Sequence, residues 1–166
     1  MLYFNTVNEL LKSILIKLMA AKEFSQFRLV GGTALSLQIG HRESIDIDLF
    51  SDVDYGTLNF NEIEDFLKSN FKYVDFLDVP SAMGKAYFIG ENKDNTVKLD
   101  VFYTDTYIQP YIEEEGIRMA TIEEIIAMKV DIIQRGGRKK DFWDLHALLD
   151  SYSITQMIEL HEQRYP

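Results

Sequence analysis

Between Ile45 and Phe50 the chain reads IDIDLF, an alternation of apolar and acidic residues with a period of two. That period belongs to a β-strand, in which residues two apart point to the same side and lie roughly 6.5 to 7 Å apart by Cα. Asp46 and Asp48 therefore share one face, while Ile45, Ile47 and Leu49 are expected to face a core. Two carboxylates brought to about 4 Å repel by roughly 4 kcal/mol at an effective dielectric near 20. A sheet that carries them has either a solvated edge or a cation to receive them.

The segment before this strand narrows the choice. An apolar run from Phe27 to Val30 ends in Gly31-Gly32, and thirteen residues separate the second glycine from Asp46. The run reads as a short strand closed by the glycines, TALSLQI as a helix, and Gly40 as its C-cap. A Gly-Gly turn between strand and helix lets backbone N–H groups approach an anion, to which the helix N-terminus adds partial positive charge. Thr33 is placed either to offer a hydroxyl to a phosphate or to cap the helix. Further on, VKLDVFY alternates around Asp100. If that strand lies beside the first, three carboxylates meet on one sheet face, which is the protein part of a Mg²⁺ site with positions left open for phosphates.

Composition agrees with this chemistry. The chain has no cysteine and three histidines, so its metal ligands are carboxylates and imidazoles, which favours hard cations. At 166 residues, 46% hydrophobic and 27% charged, it suits one soluble globular domain, mixed α and β to about residue 120 and helical from about 121 to 166. A formal net charge of −10 argues against a broad nucleic-acid-coating surface but leaves room for a local basic site. The N-terminus reads as an amphipathic helix to about Lys22 with no export signal. No window approaches the roughly 20 apolar residues of a membrane span, so a cytoplasmic location is expected.

The remaining pattern predicts a helix over 60–69 and strands over 73–79, 86–90 and 96–103, with ENKDN as a hairpin turn between the last two. Thr121 with Glu124 forms a capping-box pattern opening the helix TIEEIIAMKVDIIQR, which Gly136-Gly137 stops. Helices from about Lys140 and over ITQMIELHEQR follow. The turn RGGRKKD is either a solvated helix end or a phosphate site, with Asp141 and Asp144 placed to orient its cations by ion pairing. Arg42 and Ser44 stand just ahead of the carboxylate strand, where Arg42 meets either a phosphate or the aspartates. His41 reads as a turn residue, Asp52 and Asp54 as loop, Lys129 as a phosphate ligand or a snorkelling lysine, and Trp143 as core.

Gly31-Gly32, thirteen residues, then Asp46-Ile47-Asp48 resembles the signature of the DNA polymerase β-like nucleotidyltransferase superfamily. The longer string GGTALSLQIGHRESIDIDLF is similar to the AbiEii/AbiGii toxin family within it, and VKLDVF and RKKDFWDLHALL resemble that family's later motifs. The resemblance spans residues 27 to 149. It implies an α+β (mixed α/β) nucleotidyltransferase fold, a small mixed sheet flanked by helices with a helical C-terminal part. It implies a Mg²⁺-dependent transfer of a nucleotide from an NTP to an acceptor hydroxyl, with two ions, Mn²⁺ as an alternative, and pyrophosphate leaving. Asp46, Asp48 and Asp100 correspond to the metal ligands and catalytic residues, Asp100 being placed to help deprotonate the acceptor. Gly31, Gly32 and Thr33 correspond to the triphosphate-holding segment, and Lys129, Arg138, Lys139, Lys140 and Asp141 to supporting nucleotide-binding positions. The family also implies a toxin–antitoxin setting, with a tRNA or other RNA end, or a protein side chain, as acceptor and an antitoxin as partner. Many members are longer, which leaves the acceptor open. A nucleotide-binding module without catalysis and a small-molecule nucleotidyltransferase are the alternatives, and a nuclease fits the Gly-Gly start less well.

Overall fold

The computed structural model describes residues 1–77 and 82–166. Among these, seven strands form one sheet in the order β3-β4-β5-β2-β1-β7-β6. The central trio is β1 (Arg28–Val30), β2 (Asp46–Ser51) and β5 (Asn95–Tyr103). Strand β2 runs antiparallel to β1 and parallel to β5. The outer strands are β3 (Tyr73–Leu77) and β4 (Gly84–Asn92) on one side, β6 (Ile112–Glu114) and β7 (Ile117–Met119) on the other. The sheet is mixed because β5 and β7 join it parallel to β2 and β1, respectively, and the other neighbours pair antiparallel.

Six helices pack around it: α1 (Glu9–Ala20), α2 (Gly31–Ile39), α3 (Phe60–Asn70), α4 (Ile122–Gln134), α5 (Lys139–His146) and α6 (Ile154–Arg164). Asn8 caps α1 by accepting from the Leu11 N–H, and the helix turns Leu11, Ile14, Leu15 and Leu18 to the core, the stripe expected from a 3.6-residue period. Helix α1 lies across β7, β2 and β5, so the inward residues of β2 and β5, Ile47, Leu49, Leu99 and Val101, are fully buried. None of the described helices is long and apolar enough to cross a membrane.

Several boundaries differ from expectation, each for a local reason. Gly31 and Gly32 do not form a turn ahead of the helix; they are its first two residues, and Val30 caps it in extended conformation. Strand β2 begins at Asp46, not Ile45, whose side chain is 68% exposed because no neighbouring strand reaches it: the ladder to β5 starts at Asp46↔Lys98. Strand β4 starts at Gly84, and of the expected strand 73–79 the last two residues lie outside the described residues. The β6–β7 hairpin was not expected, since three-residue strands rich in glutamate give no alternation to read; its Glu115-Gly116 turn, with both φ positive, is the sequence signal that was available. Trp143 is not core: it is 55% exposed on α5 and stacks with the Lys139 ammonium, 4.7 Å from the ring centroid.

The Thr121–Glu124 capping box is only half made. Thr121 accepts from the Glu124 N–H at 3.2 Å, but the Glu124 carboxylate is buried and turned the other way, onto Arg164 of α6 and the backbone N–H groups of Ile108 and Gln109. A buried guanidinium is a stronger partner than one backbone N–H, so tertiary packing overrides the local cap.

Candidate active site

The parallel pairing of β2 with β5 sets Asp48 directly opposite Asp100, and the antiparallel pairing with β1 sets Val30 on its other side. Because side chains alternate along a strand, Asp46, Asp48, Lys98 and Asp100 all stand on the face opposite Ile47 and Leu49. The face is open because the chain leaves β1 straight into α2, whose first turn rises beside Asp48. The site thus unites the two sequence segments that carried the acidic and glycine motifs.

The glycines are required by what lies against them. Gly31 has φ +70°, and a Cβ there would come within 2.6 Å of Asp48 Oδ2; a Cβ on Gly32 would collide with the Arg42 guanidinium. Both therefore make room for charged side chains at the helix start. An L-residue in the left-handed region costs about 1–2 kcal/mol. Gly31→Ala is expected to destabilise the fold by about that amount in a thermal or denaturant melt. A wild-type melt would show that the cramped approach is not needed.

Carboxylate electrostatics at this face are unbalanced. Burial pushes the Asp48 carboxyl up to about 7, helped by repulsion from Asp100 and Asp46 and opposed by Lys98. Lys98 Nζ donates to Asp100 Oδ2 at 2.7 Å, and Lys140 Nζ reaches Asp46 Oδ2 at 3.4 Å. The second oxygen of Asp100, Oδ1, is buried and receives no lysine N–H, and the Asp48 carboxyl, when protonated, is in place to hydrogen-bond to Asp100. Three carboxylates crowded on one face have the donor chemistry of a Mg²⁺ or Mn²⁺ site. Among the described residues, no group of three or more acidic or histidine side chains is already drawn together to hold a metal ion.

A cleft of about 200 Å³ opens over Asp48 and Asp100. Val30, Phe50, Ile125, Met128 and Ile132 give it an apolar part, and Gly31, Lys129, Arg138 and Asp141 complete the lining. Of the expected phosphate ligands, Arg138 remains at the rim with its side chain mostly exposed, Lys140 turns to Asp46 and Lys139 to Trp143.

The other expected nucleotide-binding groups are committed to one another. Lys129 is buried and its ammonium contacts Asp141 Oδ1 at 2.8 Å and Asp144 Oδ2 at 2.7 Å. Arg42 donates to both oxygens of Asp144, at 2.6 and 2.8 Å, and His41 Nε2 is 2.7 Å from Asp144 Oδ1. Asp141 also accepts from the Arg138 backbone N–H at 3.0 Å, capping α5. Burial by itself raises the Asp144 carboxyl, but the hydrogen bonds from Arg42 and His41 and the Lys129 charge outweigh it and hold the group well below the usual carboxylate range. Asp141 is lowered by the same balance, burial being outweighed by Lys129 and the Arg138 N–H. Thr33 is likewise turned inward, its hydroxyl bonded to Ser44 Oγ at 2.8 Å and to the Asp46 carbonyl. In this arrangement Lys129, Arg42, Thr33 and Asp141 tie α4, α5 and the loop after α2 to the start of β2. Sequence reasoning missed Lys98, although a Lys two residues before an aspartate on a strand shares its face and was legible as such.

On this sheet face a strand-borne Asp-x-Asp meets a third aspartate across a parallel ladder, next to a helix that begins with two glycines. The sequence profile described as "Nucleotidyl transferase AbiEii toxin, Type IV TA system" matches residues 13–166, and the chain belongs to that family. It is 26% identical over 152 residues to an uncharacterized protein, aq_aa25, of Aquifex aeolicus, a match covering 85% of this chain and 67% of the relative. The fold is similar to that of JHP933 from Helicobacter pylori, with a TM-score of 0.64 at 23% identity over 92% of this chain and 68% of the other. It is also similar to part of the Megavirus polyadenylate synthase, with a TM-score of 0.59 at 18% identity over 85% of this chain and 31% of the other.

Proposed function

We propose that this nucleotidyltransferase moves a nucleoside monophosphate from an NTP to an acceptor hydroxyl, with Asp46, Asp48 and Asp100 holding divalent metal, two Mg²⁺ ions, with Mn²⁺ as a substitute. The observation that carries the reading is Asp48 facing Asp100 across β2 and β5 at the floor of a cleft, with Asp46 on the same face of β2. When bound, the ions supply charge neutralisation for the phosphates and acidify the attacking hydroxyl.

The chain's own residues supply the positioning on which phosphoryl transfer depends. The first turn of α2 offers backbone N–H groups with no intrahelical partner to the triphosphate, and Arg138, largely exposed beside the cleft, is its counter-charge. The apolar wall of Ile125, Met128 and Ile132 fits a nucleobase and excludes water from it. Asp100 takes the proton of the acceptor hydroxyl as its oxygen bonds to the α-phosphorus; the bond from that phosphorus to the bridging oxygen breaks, and pyrophosphate leaves with the electron pair. The buried Arg42–Asp144–Lys129 network keeps α5 and its basic N-terminus over the cleft. The acceptor is an RNA end, in particular of tRNA, or a protein side chain, and a cognate antitoxin is the partner that restrains the activity in the cytoplasm.

Incubating the protein and Mg²⁺ with each α-labelled NTP and, separately, total tRNA, total protein or buffer alone tests the reading, with Asp46→Ala as control. Label entering one acceptor class and vanishing in the variant is the expected result. Saturable, Mg²⁺-dependent NTP binding with no label in any acceptor would favour the nucleotide-binding module instead.

A further inference from the structure

Lys98 is unlike the other lysine buried near the site. It lies two residues before Asp100 on β5 and in register with Asp46 on β2, so its side chain shares the face that bears all three carboxylates. Its ammonium donates to Asp100 Oδ2 at 2.7 Å. The Lys98 side chain is 35% exposed, against 5% for Lys129. A lysine with a flexible stem and access to water can withdraw its charge into solvent without leaving it buried and unpaired; Lys129, locked between Asp141 and Asp144, has no such exit. The charges facing Lys98 are Asp100 on its own strand and Asp46 and Asp48 on β2, with Lys140 of α5 reaching Asp46 from above.

We infer that Lys98 is the resident counter-charge of the carboxylate site. It holds Asp100 while no divalent ion is bound and competes with the ion for that carboxylate, so it sets how tightly the site takes metal before nucleotide arrives. The inference rests on the proposed reading of Asp46, Asp48 and Asp100 as the ion's ligands. It assigns Lys98 a positioning role, since its ammonium acts through Asp100. Its consequence is an order of events: the ion at Asp100 is held weakly until the phosphates of an NTP add their own oxygens to it.

The test is Mn²⁺ binding to the full chain without nucleotide, followed by electron paramagnetic resonance or calorimetry, for the wild type, Lys98→Met, Lys98→Arg and Asp48→Asn. Lys98→Met is expected to bind Mn²⁺ about tenfold tighter, because a competing positive charge is gone. In EDTA it should melt below the wild type and gain more on addition of Mn²⁺. Lys98→Arg keeps the charge and should stay close to the wild-type affinity. If Lys98→Met binds Mn²⁺ no tighter than the wild type while Asp48→Asn abolishes binding, the counter-charge role is wrong and the metal site stands. If no variant and not the wild type binds Mn²⁺, with or without NTP, the metal site falls, and the inference with it. Lys98→Gln serves the same comparison if the methionine variant does not give a native circular dichroism spectrum.

Discussion

Asp48→Asn is expected to lower nucleotide transfer by about a thousandfold, the scale seen when a preorganised group that stabilises transition-state charge is removed from a closed site. The amide keeps the shape of the carboxyl and removes its charge, so the comparison isolates electrostatics from packing. Asp48 sits between Asp100 on β5 and Val30 on β1 and packs on Gly31, so no other side chain can take its place without rebuilding the start of α2. Stability should move the other way. The Asp48 charge is disfavoured by burial and by two neighbouring carboxylates, and without metal its loss relieves that repulsion. A melt in EDTA is therefore expected to show the variant at least as stable as the wild type, with transfer absent when Mg²⁺ is restored. Transfer near the wild-type rate would remove Asp48 from the reaction. A lowered melting temperature together with lost transfer would instead mark Asp48 as a structural residue.

Arg164→Ala has the largest expected effect on folding. The guanidinium is buried two residues from Pro166, where it donates to Glu124 Oε1, to the Thr106 carbonyl at 3.1 Å, to Thr104 Oγ1 at 2.8 Å and to the Asp105 carbonyl at 3.0 Å. Glu124 in turn accepts from the Ile108 and Gln109 N–H groups at 2.9 and 3.0 Å. These bonds pin α6 and α4 to the connection from β5 towards β6. Truncating the arginine leaves a buried carboxylate and three backbone or hydroxyl acceptors short of a donor, which costs about 3–5 kcal/mol. For a chain of this size that is a fall of about 10 °C in melting temperature. Arg164→Met combined with Glu124→Gln should lose clearly less than the sum of the two single changes, the signature of a coupled pair. The exposed Arg135–Asp131 pair on α4 is the control: Arg135→Ala should change stability by no more than about 1 kcal/mol. A small loss from Arg164→Ala would mean that the C-terminal turn of α6 adds little to the fold.

Local patterns made much of the site legible. The alternation of IDIDLF placed Asp46 and Asp48 on one face, and VKLDVFY placed Asp100 on another strand, because the period of two is a property of any extended backbone. Helix α1, its stripe and the strands β4 and β5 followed from the same kind of reading. The same logic failed where the partner decides. Trp143 looked like core by residue type, yet α5 buries Asp141 and Asp144 and turns its aromatics outward, because those two carboxylates have Lys129 and Arg42 to meet in the interior while the indole meets Lys139 at the surface.

By itself, then, the sequence determined which residues of a strand or helix share a face, since this depends on spacing along one segment of backbone, while several element boundaries waited on the neighbouring strands. Tertiary structure decided which charges meet: that β5 lies parallel beside β2 with Asp100 opposite Asp48, that Lys98 rather than a more distant lysine answers Asp100, and that Glu124 abandons its own helix cap for Arg164. The physical reason is range. Periodicity acts over a few residues, whereas the energy of a charge in a protein is set by whatever the fold brings within a few ångströms of it, however far away in the chain.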